Sequence, residues 1–442
     1  MSAAYLVYNL LVSLAAPGLL AASAASGGLR GRWRERLGLV PAPPAGGRAR
    51  IWMHAVSFGE VQVAATLMAA MNRRSSDLRF FLTTGTPAGL LAARETVSPD
   101  VPIAALPLDA YGGPARALRR VAPDLLVVIE TEIWPNLLKA ARHLGVKTML
   151  ANGRISADSY RLYRRFRFLF REALDRFDLM AMNHTVYRDR IVSLGADPRR
   201  VVVTGSAKYD ALLDRVDPAR AEQYRQELGL APNRRILVAG STRSGEEAVI
   251  LEVFQRLKRD FPDLALVLAP RHVERAGGLV SLIQGKGLSV RRRSARGRSA
   301  PDGVDVILVD VMGELFFLYG LGEAAFCGGS LVPLGGQNPL EPAAWAKPVL
   351  YGPHMNNFPE ALGLLEESGA GMVVEDDWAL YRRLAVLLKD PALARSRGLA
   401  GREALRARPK AAERLAALGL GLVGLDKSLE SDIVIWSKAG KG

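Results

Sequence analysis

The chain has 442 residues, length enough for two or three domains. With 49% hydrophobic and 23% charged residues it is neither disordered nor fibrous. Lys and Arg number 59 against 44 Asp and Glu, and the resulting charge of +15 predicts an anionic partner: nucleic acid, phospholipid headgroups or a phosphorylated substrate.

Met1 to Leu29 carries no charge, and Tyr5 to Ala25 is largely Leu, Ala, Val and Tyr. About 20 such residues cross a bilayer core as a helix. Ala22–Ser26 has the small residues of a cleavage site, but a signal peptide carries positive charge before its apolar core, and none precedes this one. The charge follows instead, at Arg30, Arg32, Arg34 and Arg36, so the positive-inside rule keeps that flank and everything after it in the cytoplasm. Pro17 and Gly18 leave a monotopic or re-entrant insertion open beside a spanning one. Residues 1–29 read as an uncleaved anchor.

Beyond the Pro/Gly-rich linker Pro41–Gly47, short aliphatic runs alternate with longer amphipathic ones. The expected strands are Ile51–Ala55, Phe80–Thr84, Ile103–Leu106, Leu125–Glu130, Lys147–Ala151, Leu179–Met182 and Val201–Thr204, then Arg235–Ala239, Leu264–Ala269, Val304–Val309, Ala324–Cys327, Pro348–Tyr351 and Gly371–Val374. Helical patterns such as Val61–Met71 and Glu246–Lys258 lie between them. Apolar strands alternating with helices predict an α/β fold with parallel sheets covered on both faces. So many strands overfill one doubly wound sheet, so two Rossmann-like domains facing one cleft are expected, at 30–205 and 206–425, with a tail at 426–442. In such sheets ligands sit beyond the carboxyl ends of the strands.

The residues just after the strands are therefore the candidates. Glu60 lies in the first turn of a helix, where the dipole favours a carboxylate; it suits helix entry, and equally a general base. Glu130-Thr131-Glu132 ends a strand, and on an extended chain both carboxylates would point the same way. Lys208, in Gly205-Ser206-Ala207-Lys208, can meet an anionic donor group. In the second half Arg271 closes a strand in Ala269-Pro270-Arg271-His272, a place from which a guanidinium grips phosphate or carboxylate. Asp310-Val311-Met312-Gly313-Glu314 follows another strand. Gly328-Gly329-Ser330 and Gly335-Gly336-Gln337-Asn338-Pro339-Leu340-Glu341-Pro342 then run into a helix, with Asn338 suited to the N-cap, Pro339 to the first helical position and Glu341 to ribose hydroxyls. Free backbone N–H groups there would bind an anion. These features describe a nucleotide-sugar site.

Other signals carry less. The single Cys327 excludes an internal disulfide and a Cys-based zinc site, and the five His residues have no ligand-like spacing. Gly419-x-Gly421-x-x-Gly424 follows a helical stretch, not a strand, so it is no dinucleotide fingerprint. Arg291–Arg298 could touch nucleic acid or anionic lipid, but a solvated basic loop is the commoner reading of such a run. A membrane-tethered nucleic-acid-binding protein would interleave its basic residues with aromatics, and no such pattern is found.

Together these segments resemble the bacterial 3-deoxy-D-manno-octulosonic acid (Kdo) transferases along nearly the whole chain. The resemblance is carried by His54–Glu60, Thr83–Gly89, Glu130–Asn136, Gly205–Asp210, Pro270–His272, Met312–Leu315, Gly335–Pro342 and Gly352–His354. It implies a two-domain GT-B glycosyltransferase of the inner membrane, acting at its cytoplasmic face beside anionic lipids. Such an enzyme moves Kdo from CMP-Kdo to a lipid A precursor with inversion, without metal or other cofactor. It further implies that Glu60 is the base, that Glu130 and Lys208 assist, and that Pro270, Arg271, Met312, Gly313, Glu314, Asn338, Pro339, Leu340 and Glu341 hold CMP. A GT-B enzyme using another nucleotide sugar is the nearest alternative. The chain departs from the family at Gln337, where His is frequent, and at Arg243-Ser244-Gly245-Glu246-Glu247, where a His-Glu-Gly-Glu-Glu run is frequent.

Overall fold

Leu125–Ile129 is a run of five buried apolar residues, so both faces of that strand must be covered. In the computed structural model, which describes residues 3–25, 32–44, 46–110, 112–295, 303–426 and 428, it is central to a parallel sheet. The chain divides into two units, one of Met1–Asp210 with Pro409–Gly442 and the other of Ala211–Arg408.

The first unit holds β1 (Ala49–His54), β2 (Leu78–Thr84), β3 (Ile103–Ala105), β4 (Leu125–Ile129), β5 (Lys147–Gly153), β6 (Leu179–Met182) and β7 (Val201–Val203), in the order β3-β2-β1-β4-β5-β6-β7. Successive side chains alternate between two cores, as strand periodicity requires. Ile51, Met53 and Val127 pack with Leu67 and Met71 of the helix Phe58–Arg74, whereas Trp52, Phe81 and Leu126 face Leu118 and Leu138 on the other side. The strand order reverses between β1 and β4, so the crevice for a ligand lies beyond their carboxyl ends.

The second unit repeats the plan with β8 (Ile236–Thr242), β9 (Ala265–Pro270), β10 (Val290–Arg292), β11 (Val306–Leu308), β12 (Ala324–Cys327), β13 (Val349–Tyr351) and β14 (Gly371–Val373). Its order is β10-β11-β9-β8-β12-β13-β14, all parallel, with the reversal between β8 and β12.

Three expectations need correction. The helix Ala411–Leu422, assigned to the second domain, packs with the first unit: Leu415, Ala416 and Leu420 are buried in the core that holds Leu67 and Met71. Gly419 belongs to that helix, and a Cβ there would stand 2.8 Å from Met71 Cε. Lys208 likewise falls in the first unit rather than in the second domain.

The basic run is the second correction. Val290–Arg292 is the edge strand β10 rather than a loop, and its arginines hold partners, Arg292 while still exposed. Arg292 pairs with Asp310 at 2.7 Å, while Arg293 pairs with Glu227 and, at 2.8 Å, with Glu314. Charges on an edge strand also discourage pairing with other chains. Arg296 and Arg298 lie outside the described residues.

The third concerns the N-terminus. Ala3–Ala25 is one helix, continuous through Pro17, but among the described residues no helix is long and apolar enough to cross a membrane. One side is docked on the first unit. Tyr5 is buried and its hydroxyl donates to Asn136 Oδ1; Tyr8 Oη donates to Asp109 Oδ2 at 2.7 Å, and Asn9 accepts from Asn136 Nδ2 at 2.8 Å. Burial pushes the Asp109 carboxyl up to about 6, against the pull of the Asn136 and Leu137 N–H groups and the Tyr8 hydroxyl that donate to it. The other side exposes Leu6, Val7, Leu10, Leu11 and Leu14, at helical spacing. Arg30 and the tail beyond Ser428 lie outside the described residues.

Candidate active site

The loop after β1 turns directly into the helix Phe58–Arg74. Ser57 is its N-cap and accepts from the Glu60 N–H, while the Glu60 carboxylate accepts from the Val56 N–H at 2.8 Å and from Ser57 Oγ at 2.7 Å. This resembles a capping box, except that the carboxylate takes the N–H of Val56 and the hydroxyl of Ser57 rather than the Ser57 N–H, so the helix-entry reading of Glu60 holds geometrically. The same contacts orient the carboxylate at the reversal between β1 and β4.

Glu130 follows β4 from the other side of that reversal. Its φ is +60°, a left-handed conformation in a residue with a full side chain, and its N–H donates to Ala151 O at 2.9 Å. Backbone strain of this kind, of order 1–3 kcal/mol, gathers at functional sites. The bend also corrects the expectation for the carboxylate pair, because Glu130 is not extended. Glu130 is ion-paired with Lys208, whereas Glu132 lines a cavity beneath the N-terminal helix.

Lys208 stands on the short 3-10 turn Ala207–Tyr209 after β7. Asn152 aims that turn: buried at the end of β5 with φ +56°, it accepts from the Ala207 N–H at 2.9 Å. A Cβ on Gly59 would lie 3.9 Å from Lys208 Nζ, so the ammonium rests over the first turn of the Glu60 helix. Glu60, Glu130 and Lys208, far apart in sequence, are thus brought together within one unit.

Burial, with the charges of Glu60 and Glu130 adding to it, pushes the Glu132 carboxyl up to about 7. Carboxylates that share a site resist ionising together. His54, quoted in the same motif, is structural: it is fully buried, its Nδ1 lies 3.0 Å from Thr83 Oγ1, and burial lowers it to about 4.

In the second unit the carboxyl ends of β8, β9 and β12 bring other groups together. Arg271 is exposed just past β9, and its N–H donates to Thr242 O at 3.0 Å. Arg243 after β8 reaches His272, with Nη1 2.6 Å from Nε2. Glu341 is raised by burial, a shift opposed by the positive charges of Arg215 and Arg271 and by Asn338, whose Nδ2 lies 3.4 Å from Oε1. Met312 is exposed and Gly313 takes φ +92°, but the Glu314 carboxylate is committed to Arg293.

The helix expected at Pro339 begins one residue later, at Leu340, although Asn338 Oδ1 still accepts from the Leu340 N–H at 3.2 Å. Pro339 and Leu340 are buried.

The glycine-rich loop differs most from expectation. The N–H groups of Gly329, Ser330 and Leu331 all donate to the buried Glu246 carboxylate, at 2.7, 2.9 and 2.9 Å. The anion they bind belongs to the chain itself. Gly335 and Gly336 take φ +82° and +77°, the left-handed backbone that favours glycine, and a Cβ on either would also displace the Asn357 or Met355 side chain, 2.1 Å away.

Sequence reasoning missed Arg215, Asn152 and the role of Glu246. Only Glu246, an acid just past a strand and a glycine, carried a local signal; the other two are placed by the fold.

Comparison with known proteins adds the family. Residues 31–211 match the family model described as 3-Deoxy-D-manno-octulosonic-acid transferase (kdotransferase). A 3-deoxy-D-manno-octulosonic acid transferase of Haemophilus influenzae is 34% identical, covering 88% of this chain and 91% of its own length. That of Bordetella pertussis is 34% identical over 80% of this chain and 82% of its own. Among solved structures, a UDP-N-acetylglucosamine 2-epimerase covers 87% of this chain and 98% of its own at TM-score 0.61 and 14% identity. A glycosyltransferase from Rickettsia africae covers 89% and 99% at TM-score 0.56 and 13% identity. The structural likeness is one of fold, the paired parallel-sheet α/β units of GT-B glycosyltransferases.

Proposed function

The chain belongs to the 3-deoxy-D-manno-octulosonic-acid (Kdo) transferase family and is a Kdo-transferring glycosyltransferase; from that premise we propose that it moves Kdo from CMP-Kdo to a sugar hydroxyl of the lipid A precursor, inverting the anomeric centre without a metal. The observation that carries this reading is the meeting of Glu60, Glu130 and Lys208 beside the reversal between β1 and β4.

In the proposed reaction the acceptor oxygen bonds to the anomeric carbon as its proton passes to Glu60. The bond from that carbon to the phosphate oxygen breaks on the opposite face, and CMP leaves. Glu130 holds Lys208, whose ammonium stabilises negative charge near the reacting groups. In the second unit Arg271 meets the leaving phosphate or the Kdo carboxylate, and Glu341 accepts from ribose hydroxyls. Pro270, Met312, Gly313, Glu314 and the Asn338–Leu340 segment form the remaining CMP contacts, through backbone where their side chains are buried or already paired.

The exposed Leu6, Val7, Leu10, Leu11 and Leu14 suit a helix lying in the membrane interface, with the exposed Arg34 reaching anionic headgroups on the cytoplasmic side of the inner membrane, while Arg32 and Arg36 are held by Glu35 and by the carbonyls of Leu106 and Gly85. An apolar face on one side and a docked polar face on the other support this more than a spanning helix.

The test is incubation of the purified chain with CMP-Kdo and the acylated precursor, read by product mass. A gain of one or more Kdo units, inhibited by CMP and not by UDP, is expected. CMP release without product, or equal inhibition by UDP, would remove the proposal.

A further inference from the structure

Within the first unit a cavity of about 540 Å³ lies between the N-terminal helix and the loops that carry the catalytic carboxylates. Its volume falls in the range of small-molecule sites. One wall is Leu11, Val12 and Leu19 of the helix; Leu106 and Leu108 stand opposite. Polar groups line the cavity too, and some of them adjoin the chemistry. Glu132 lines it, and so does Val56, whose N–H donates to Glu60 at 2.8 Å. Arg36 lines it too, its guanidinium donating to Gly85 O at 3.2 Å.

We propose that this cavity takes an acyl chain of the acceptor, so that the N-terminal helix forms part of the acceptor site as well as a membrane contact. The inference rests on the acceptor reading above. Two observations choose this occupant. Leu11 and Leu19 belong both to the cavity wall and to the exposed apolar surface of the helix, so the cavity is continuous with the surface on which a lipid chain would lie. The polar part of the lining, with the Glu132 carboxyl and the Val56 loop that donates to Glu60, leaves room for a hydroxylated head beside the proposed base. An amphiphile fits a lining that offers both apolar and polar groups; a free sugar would leave the apolar wall in contact with water. The helix is held for this task by the hydrogen bonds of Tyr5, Tyr8 and Asn9 to the body of the unit.

Val12→Trp and Leu108→Trp fill the cavity from opposite walls, so a fault in docking the helix would affect only the first. Kinetics are measured with the tetra-acylated acceptor and with the same phosphorylated disaccharide stripped of its acyl chains. We expect KM for the acylated acceptor to rise tenfold or more in both variants, with KM for the stripped acceptor and for CMP-Kdo unchanged. Equal rises for the two acceptors, or no rise for either, would overturn the proposal. So would a chain supplied by bulk membrane lipid, which would impair both acceptors alike.

Photolabelling with a diazirine-bearing acyl chain needs no turnover. Label on Leu11, Val12, Leu106 and Leu108, lost in both Trp variants, is expected; label confined to Leu6, Val7 and Leu10 would overturn the proposal. A wild-type protein that labels in the cavity yet transfers no Kdo would refute the proposed reaction and leave the acyl site standing.

Discussion

At the scale of single residues, one side chain often has two uses. Glu60 caps its own helix through Val56 and Ser57, and the same carboxylate is the proposed base. Glu60→Gln keeps an acceptor for the Val56 N–H but removes the proton acceptor. Turnover should fall by roughly 10²–10⁴ with the melting temperature and CMP affinity nearly unchanged, and near-normal turnover would exclude Glu60 as base. Glu132 makes a pH prediction. Its carboxyl titrates near 7 when folded against an ordinary 4.5, so between those values the native state holds more protons than the unfolded chain. Stability therefore falls as pH rises through that window. Glu132→Gln, which cannot ionise, should melt above wild type at pH 8 by at most about 3 kcal/mol of stability and level with it near pH 4. A difference that is constant with pH would mean that the carboxyl is not shifted. Arg271→Ala and Glu341→Ala should each weaken CMP binding by ten- to a hundredfold, the loss of one charge-assisted hydrogen bond of about 1.5–3 kcal/mol. Calorimetric titration reads this directly, and a dideoxy analogue of CMP should be insensitive to Glu341→Ala.

At the scale of elements, the strand ends are organised by buried polar groups that no local pattern displays. Glu246 accepts from Arg243, Gly329, Ser330 and Leu331, and so ties the loop after β8 to the loop after β12. Each buried donor left without a partner costs about 1–3 kcal/mol. Glu246→Ala strands several, so a loss of at least about 3 kcal/mol is expected from the urea midpoint, with Glu246→Gln in between. An alanine variant as stable as wild type would show that water replaces the carboxylate freely. Arg243 sits beside this loop where the family often has His, and its contact with His272 shows where that change acts: at the carboxyl ends of β8 and β9.

At the scale of the whole molecule, the chain leaves the first unit at Asp210 and returns to it at Pro409. The second unit is continuous, and the buried residues of its two core clusters, from Ala221 to Ala394, all lie within it. Residues 211–408 expressed alone should therefore melt cooperatively and bind CMP. The first unit has no such independence. Ending the chain after Arg408 removes Leu415, Leu418 and Leu420, all buried, at about 1.5–3 kcal/mol each. Residues 1–408 should lose the melting transition of the first unit and keep that of the second; two unchanged transitions in calorimetry would place the last helix outside the core.

The sequence by itself determined the α/β class, thirteen of the fourteen strands seen among the described residues, and the posts at which Glu60, Glu130, Lys208 and Arg271 stand. Those features are local, because an apolar run that alternates with helices can only be a covered strand, and ligand groups follow strand ends. β10 escaped because its arginines hide a short edge strand behind charge. Tertiary structure alone decided that the last helix packs on the first unit, that Asn152 aims the Lys208 turn, that Glu246 fills the glycine-rich loop, and that the N-terminal helix roofs a cavity beside Glu132. Each of these joins residues distant in the chain through contacts of shape and hydrogen bonding, which periodicity and spacing do not encode.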